Sequence, residues 1–224
     1  MFVGIASGTA AVFVIPCLTV FLGYSIHQAT GTNLFVDCVI GGVAGSIFLL
    51  NKNVELRSTS LLVVTGGIGA FMGSRFTSAA PEYTLTVFIG LFLIAIGISF
   101  LVNGIRKNVK YIESKINFRV LRNHKLLSIT VFGFIVGLIS GFSGIGGGGM
   151  VAILLIFVLG YGIHTAIGTS LFMMFFIAGS GALSHMFNNE LLFDAALIAG
   201  GAAATGAVFG GVFANNIDED KLGG

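Results

Sequence analysis

The feature that most constrains this chain is a run of 64 residues, 126–189, without a single Asp, Glu, Lys or Arg. As one helix at about 1.5 Å per residue it would extend roughly 96 Å, about three times a ~30 Å hydrocarbon core. The run must therefore turn back inside a bilayer or at its edge. Only 9% of the 224 residues are charged and 55% are hydrophobic, against about 25% charged in a soluble domain. These numbers predict an all-α polytopic membrane protein. Apolar stretches at 2–22, 32–50, 58–74, 83–105, 126–159, 165–186 and 195–216 predict about seven transmembrane segments.

Charge is unevenly placed. Seven of the eleven Lys and Arg lie between Arg106 and Lys125. Apolar segments flank this cluster, so the positive-inside rule explains it better than nucleic acid and puts the loop in the cytoplasm. The chain divides into a first repeat 1–105, a basic cytoplasmic linker 106–125 and a second repeat 126–224. No basic n-region precedes the first apolar stretch, so no cleavable signal peptide is read. Cys17 and Cys38 have neither CxxC nor metal spacing and read as buried thiols. No HExxH, paired carboxylates or nucleophile–base arrangement appears. The sequence therefore points to no enzyme activity, cofactor or metal.

Internal repetition is the strongest organisational signal. Residues 23–35, GYSIHQATGTNLF, recur 137 positions later as 160–172, GYGIHTAIGTSLF, with nine of thirteen identical. The same offset pairs Gly42 with Gly179, Asn51 with Asn188, and residues 69–76 with 206–213. Upstream the register slips by four residues. Lys52 and Arg57 match Asn189 and Asp194, positive against neutral or acidic, which leans toward copies of inverted topology. By the repeat, the second copy is expected to lack its last helix and the first copy part of its first.

The stretch 126–159 is too long for one span and contains the glycine run 144–149. Glycine costs about 1 kcal/mol per helical position relative to Ala, so a helix is expected to break there. Broken helices at membrane depth line cavities and form the substrate sites of secondary transporters. The run Ser140, Gly141, Ser143, Gly144, Gly146, Gly147, Gly148 and Gly149 offers main-chain amides suited to an anion; helix packing is the plainer reading. Gly31-Thr32-Asn33 and Gly168-Thr169-Ser170 open apolar segments. Thr32 and Thr169 suit N-caps, with hydroxyls facing a shared cavity as the alternative. His27 and His164 read as hydrogen-bonding ends or as proton groups. Asp37, well inside a span, is a proton-coupling candidate, with pairing to Arg75 or to backbone donors as the structural alternative.

Ser140 through Gly148, followed by Gly160, Ala166 and Gly168-Thr169-Ser170-Leu171, resembles the signature of the sulfite exporter TauE/SafE family, also called the 4-toluene sulfonate uptake permeases. The duplicated Gly-Thr-x-Leu at 31–34 supports the resemblance, which covers almost the whole chain. It implies a plasma-membrane permease built by internal duplication and moving small sulfur-containing or organic anions such as sulfite, sulfoacetate and sulfonates. In that family the first half also carries a glycine-rich motif; here residues 8–16 have lost it. The expected partners are a small anion, the lipid bilayer and protons as coupling ion, with a homo-oligomer compatible and nucleic acid excluded. An anion channel or uniporter and a non-transporting membrane scaffold are the competing readings.

Overall fold

A computed structural model describes residues 9–56, 59–91, 93–94 and 125–215. The linker 106–125, but for the start of a helix at Lys125, and the chain ends lie outside these residues, as does most of the stretch 83–105. Among the described residues the chain is helical. In order these helices are α1 (Ala11–Phe21), α2 (Ile26–Leu50), α3 (Thr59–Ala79), α4 (Glu82–Leu91), α5 (Lys125–Ser143), α6 (Gly148–Leu154, continued by a wider turn over Leu155–Leu159), α7 (Ile163–Phe187) and α8 (Phe193–Asn215). α2, α7 and α8 have 25, 25 and 23 residues and are apolar enough to cross a membrane.

The helix starts correct one expectation. Thr32 and Thr169 lie inside α2 and α7 rather than at their caps. Ser25 caps α2 in a reciprocal box with Gln28, and Gly162 precedes α7. α2 thus begins six residues before Thr32 and α7 six before Thr169, and at the start of α2 the Ser25 hydroxyl accepts the free Gln28 N–H. The cysteines are also more open than expected: Cys17 is exposed and Cys38 half-buried. Cys17 lies on the wider last turn of α1, among exposed apolar side chains such as Val20 and Phe21.

Two duplicated helices form the centre, and they run antiparallel. Near one end Gly31 of α2 lies against His185 of α7; near the other Gly168 of α7 lies against Phe48 of α2. Midway, a Cβ added at Gly41 would meet the Phe175 nitrogen at 2.6 Å, and one at Gly45 the Phe172 Cα at 2.7 Å. Small residues let the two backbones approach closely where lipid supplies no hydrophobic drive between helices. Because α2 and α7 are copies of each other, their opposite directions make the two repeats inverted.

Matched details confirm the relation. Gly23 and Gly160, 137 apart, have φ of 71° and 72°; Lys52 and Asn189, also 137 apart, have φ of 61° and 57°. α1 and α6 both end in a wider π-type turn. Thr169 Oγ1 accepts the Glu55 N–H at 3.0 Å, and Thr32 Oγ1 accepts the Leu192 N–H at 3.2 Å. Each copy's central helix thereby holds the loop of the other. Around this pair, α3 packs on α5 through glycine contacts, and apolar clusters form about α6 (Val151, Leu154, Val158) and about α1 (Ala11, Ile15, Leu18).

Candidate functional site

The expected helix break is present: α5 ends at Ser143, α6 starts at Gly148, and 144–147 are not helical. Gly144 and Gly147 have φ of 73° and 74°, a region L side chains rarely adopt, so glycine is required at both. Gly146 lies directly against Asp37.

Asp37 is the hub of this break. It is 0% exposed, near the middle of α2. Its Oδ2 accepts the Thr9 hydroxyl at 2.6 Å, the Gly146 N–H at 2.8 Å and the Asn33 side-chain amide at 3.0 Å. Its Oδ1 accepts the Ala10 N–H at 2.7 Å. Asn33 also donates to the Gly144 carbonyl at 2.7 Å. One carboxylate therefore joins the start of α1, the middle of α2 and the α5–α6 break. Ala10 and Gly147 are the residues that precede α1 and α6 and are 137 apart, so the upstream slip lies before them and the carboxylate bridges the two copies of one position. A buried charge persists only when hydrogen bonds satisfy it, and four do so here. Two backbone amides, a hydroxyl and a side-chain amide satisfy the group, and Arg75 instead lies over the Phe71 ring at 5.5 Å.

The structure brings Asn33, Asp37, Gly144 and Gly146 together. Ser140, one turn before the end of α5, is adjacent: a Cβ at Gly147 would meet its Oγ at 3.3 Å. Two buried polar atoms of this group, Asn33 Oδ1 and Ser140 Oγ, have no partner among the described residues. Buried polar atoms are almost always hydrogen-bonded, so two such atoms beside one break are unusual. Several of the main-chain amides expected to cradle an anion are turned inward. The Gly144 N–H donates to the Ser140 carbonyl at 3.0 Å, and the Ile145 N–H to Ser143 Oγ at 3.4 Å.

The remaining sequence candidates lie elsewhere. Thr32 and Thr169 hold opposite loops at opposite ends of the α2–α7 pair, and Ser170 Oγ donates to the Ile167 carbonyl. Gly31, Gly141 and Gly168 are close-packing positions, against Glu190 and His185, Ala70, and Asn53 and Phe48 respectively. Gly148 and Gly149 form the first turn of α6. His27 Nε2 lies 3.1 Å from the Ala80 carbonyl, and His164 Nε2 3.2 Å from that of Ala214. Sequence reasoning missed Thr9 and Ala10, whose partner is 28 and 27 residues away and whose stretch has lost the glycines of its copy. It also missed His185 and Glu190, which a comparison across the 137-residue offset exposes: they replace Phe48 and Asn53.

A family model for "Sulfite exporter TauE/SafE" matches residues 1–223. The chain belongs to the sulfite exporter TauE/SafE family. Two relatives in Bacillus subtilis (strain 168) are described as probable membrane transporter proteins. YdhB is 44% identical over 89 residues, 40% of this chain and 36% of that protein. YunE is 23% identical over 216 residues, 93% of this chain and 78% of that protein. The YdhB match thus spans about a third of that relative. No solved structure matches the chain. Membership in this family and the apolar helices identify a membrane-embedded transporter.

Proposed function

We propose that this TauE/SafE-family protein carries a small sulfur-containing or organic anion, such as sulfite, sulfoacetate or a sulfonate, across the cell membrane by alternating access between its inverted repeats. The observation that carries this reading is the buried break at 144–147, bridged to its own inverted copy at 9–10 through Asp37 and bordered by two polar atoms without a partner among the described residues. Broken helices at the interface of inverted repeats are where secondary transporters hold substrate. The glycines at 147–149 let an anion approach the main chain without side chains in the way, and the Ser140 hydroxyl donates to it. Thr32 and Thr169 belong to the moving ends, each released when its end opens. Asp37 supplies the coupling. A substrate anion beside its carboxylate repels it, and a proton carried with the anion removes that repulsion.

Sulfite and sulfonate flux into proteoliposomes tests the reading. Ser140→Ala breaks no existing hydrogen bond, so the fold is kept. It is expected to raise KM about tenfold, the worth of one hydrogen bond to a charged group. Gly147→Leu is expected to abolish flux. Wild-type flux in both variants removes the site from the break, and flux indifferent to any ion gradient replaces the carrier with a channel.

A further inference from the structure

The two ends of the α2–α7 pair are tied in the same way but with different chemistry. At one end the loop after α2 sends Asn53 to Asn215 of α8, Nδ2 to Oδ1 at 2.7 Å. At the other the loop after α7 sends Glu190 to Ser78 of α3, whose hydroxyl donates to Glu190 Oε2 at 2.6 Å. These are equivalent contacts: 53 and 190, and 78 and 215, are each 137 apart. Behind the loops, Phe48 and His185 are also equivalents, and both are fully buried. His185 Nδ1 lies 2.7 Å from Glu190 Oε2, and Asn188 Nδ2 donates to Ser78 Oγ at 2.8 Å. The neutral tie of the first loop has become an ionisable one in the second.

We propose that Glu190, His185, Ser78 and Asn188 form an ionisable latch that holds one face of the transporter closed, while the equivalent Asn53–Asn215 tie at the opposite face is made by two neutral amides. Its role in a transport cycle rests on the carrier reading above; the latch itself does not. Glu190 joins the second repeat to the first, so this face opens only when its contact with Ser78 breaks. Its carboxylate is anchored from two sides, by a hydroxyl on α3 and an imidazole on α7. Other charged or titratable groups on the elements meeting here are His27 on α2, Arg75 on α3, Glu82 at the start of α4 and Asp194 at the start of α8. His27 adds attraction to Glu190, Glu82 accepts the Ile26 N–H at 3.3 Å, and Arg75 lies over Phe71. Burial pushes the Glu190 carboxyl upward, but hydrogen bonds from His185 and Ser78 and attraction to His185 and His27 outweigh it and hold the group below the ordinary glutamate value. The latch is therefore closed at neutral pH and released as pH falls through that lowered value.

The two loops supply their own control for hydrogen–deuterium exchange on the full chain in nanodiscs. Leu192 N–H bonds to Thr32 and Glu55 N–H to Thr169; Glu190 N–H bonds to the His185 carbonyl and Asn53 N–H to that of Phe48. At neutral pH, Glu190→Gln is expected to speed exchange at residues 190–192 about tenfold, the scale of one lost hydrogen bond to a charged group, and to leave 53–55 unchanged. Acid is expected to speed exchange at residues 190–192 of the wild type once intrinsic rates are corrected. The triple change Ser78→Asn, His185→Phe, Glu190→Asn copies the first loop and is expected to abolish the acid response. Equal loosening of both loops, or none at 190–192 in either the variant or the acidified wild type, overturns the latch. A latch that responds in a protein with no anion flux overturns the carrier reading instead.

Discussion

Positions 37 and 174 occupy the same place in two copies of one helix, and their surroundings could hardly differ more. Asp37 gathers four donors from three elements, whereas Met174 is fully buried with Leu34, Ala178 and Ala182. Duplication supplies a frame in which matched glycines and threonines hold two inverted copies together. Divergence at position 37 then places a carboxylate in one copy of the central helix and not in the other. Structure is shared between the copies, and the chemistry is not.

The largest expected effect comes from making the copies alike in the wrong direction. Met174→Asp places a carboxylate in the apolar cluster of Leu34, Ala178 and Ala182, at a cost of about 3–5 kcal/mol. Loss of folded protein in detergent-solubilised membranes checks this, and a fully stable variant means position 174 is not the apolar counterpart of Asp37. Next comes Asp37→Asn, which cannot accept all four hydrogen bonds. It is expected to cost about 2 kcal/mol in thermal unfolding and to remove the pH dependence of flux. Flux that keeps its pH profile excludes Asp37 as the coupling group.

Smaller effects sharpen the symmetric side of the comparison. Thr32→Val and Thr169→Val each remove one acceptor for the opposite loop, at about 1 kcal/mol apiece. Near-equal losses are expected; a several-fold inequality means the two interlocks are not equivalent. The mildest effect is pH-linked. Because Glu190 sits below the ordinary glutamate value of about 4.3, its contribution to stability is complete above that value and fades as pH falls through the lowered one. The thermal midpoint of wild type should exceed that of Glu190→Gln at neutral pH, and the gap should close in acid.

Much of this was legible in the residues. The 137-residue offset located the paired helices, the glycine run located the break, and Ser140 to Ser170 carried the family resemblance. The starts of α2 and α7 lie six residues before Thr32 and Thr169, because Ser25 and Gly162 rather than the threonines precede the first turns. Asp37 was legible as a carboxylate inside a span and Asn33 lies four residues from it, but which backbone amides it binds was not, since Ala10 and Gly146 lie 27 and 109 residues away and no side chain announces them. Glu190 and His185 carried a readable signal, their replacement of Asn53 and Phe48, which becomes meaningful only once the repeats are known to be inverted.

Inversion itself is open to a simple measurement. Asn51 and Asn188 are equivalent, exposed, and cap the C-terminal ends of α2 and α7. Each can be changed singly to cysteine in a background lacking Cys17 and Cys38, then labelled with a membrane-impermeant maleimide in oriented vesicles. Antiparallel copies predict that the two positions label from opposite sides of the membrane. Labelling of both from the same side makes the repeats parallel and removes the structural basis for alternating access.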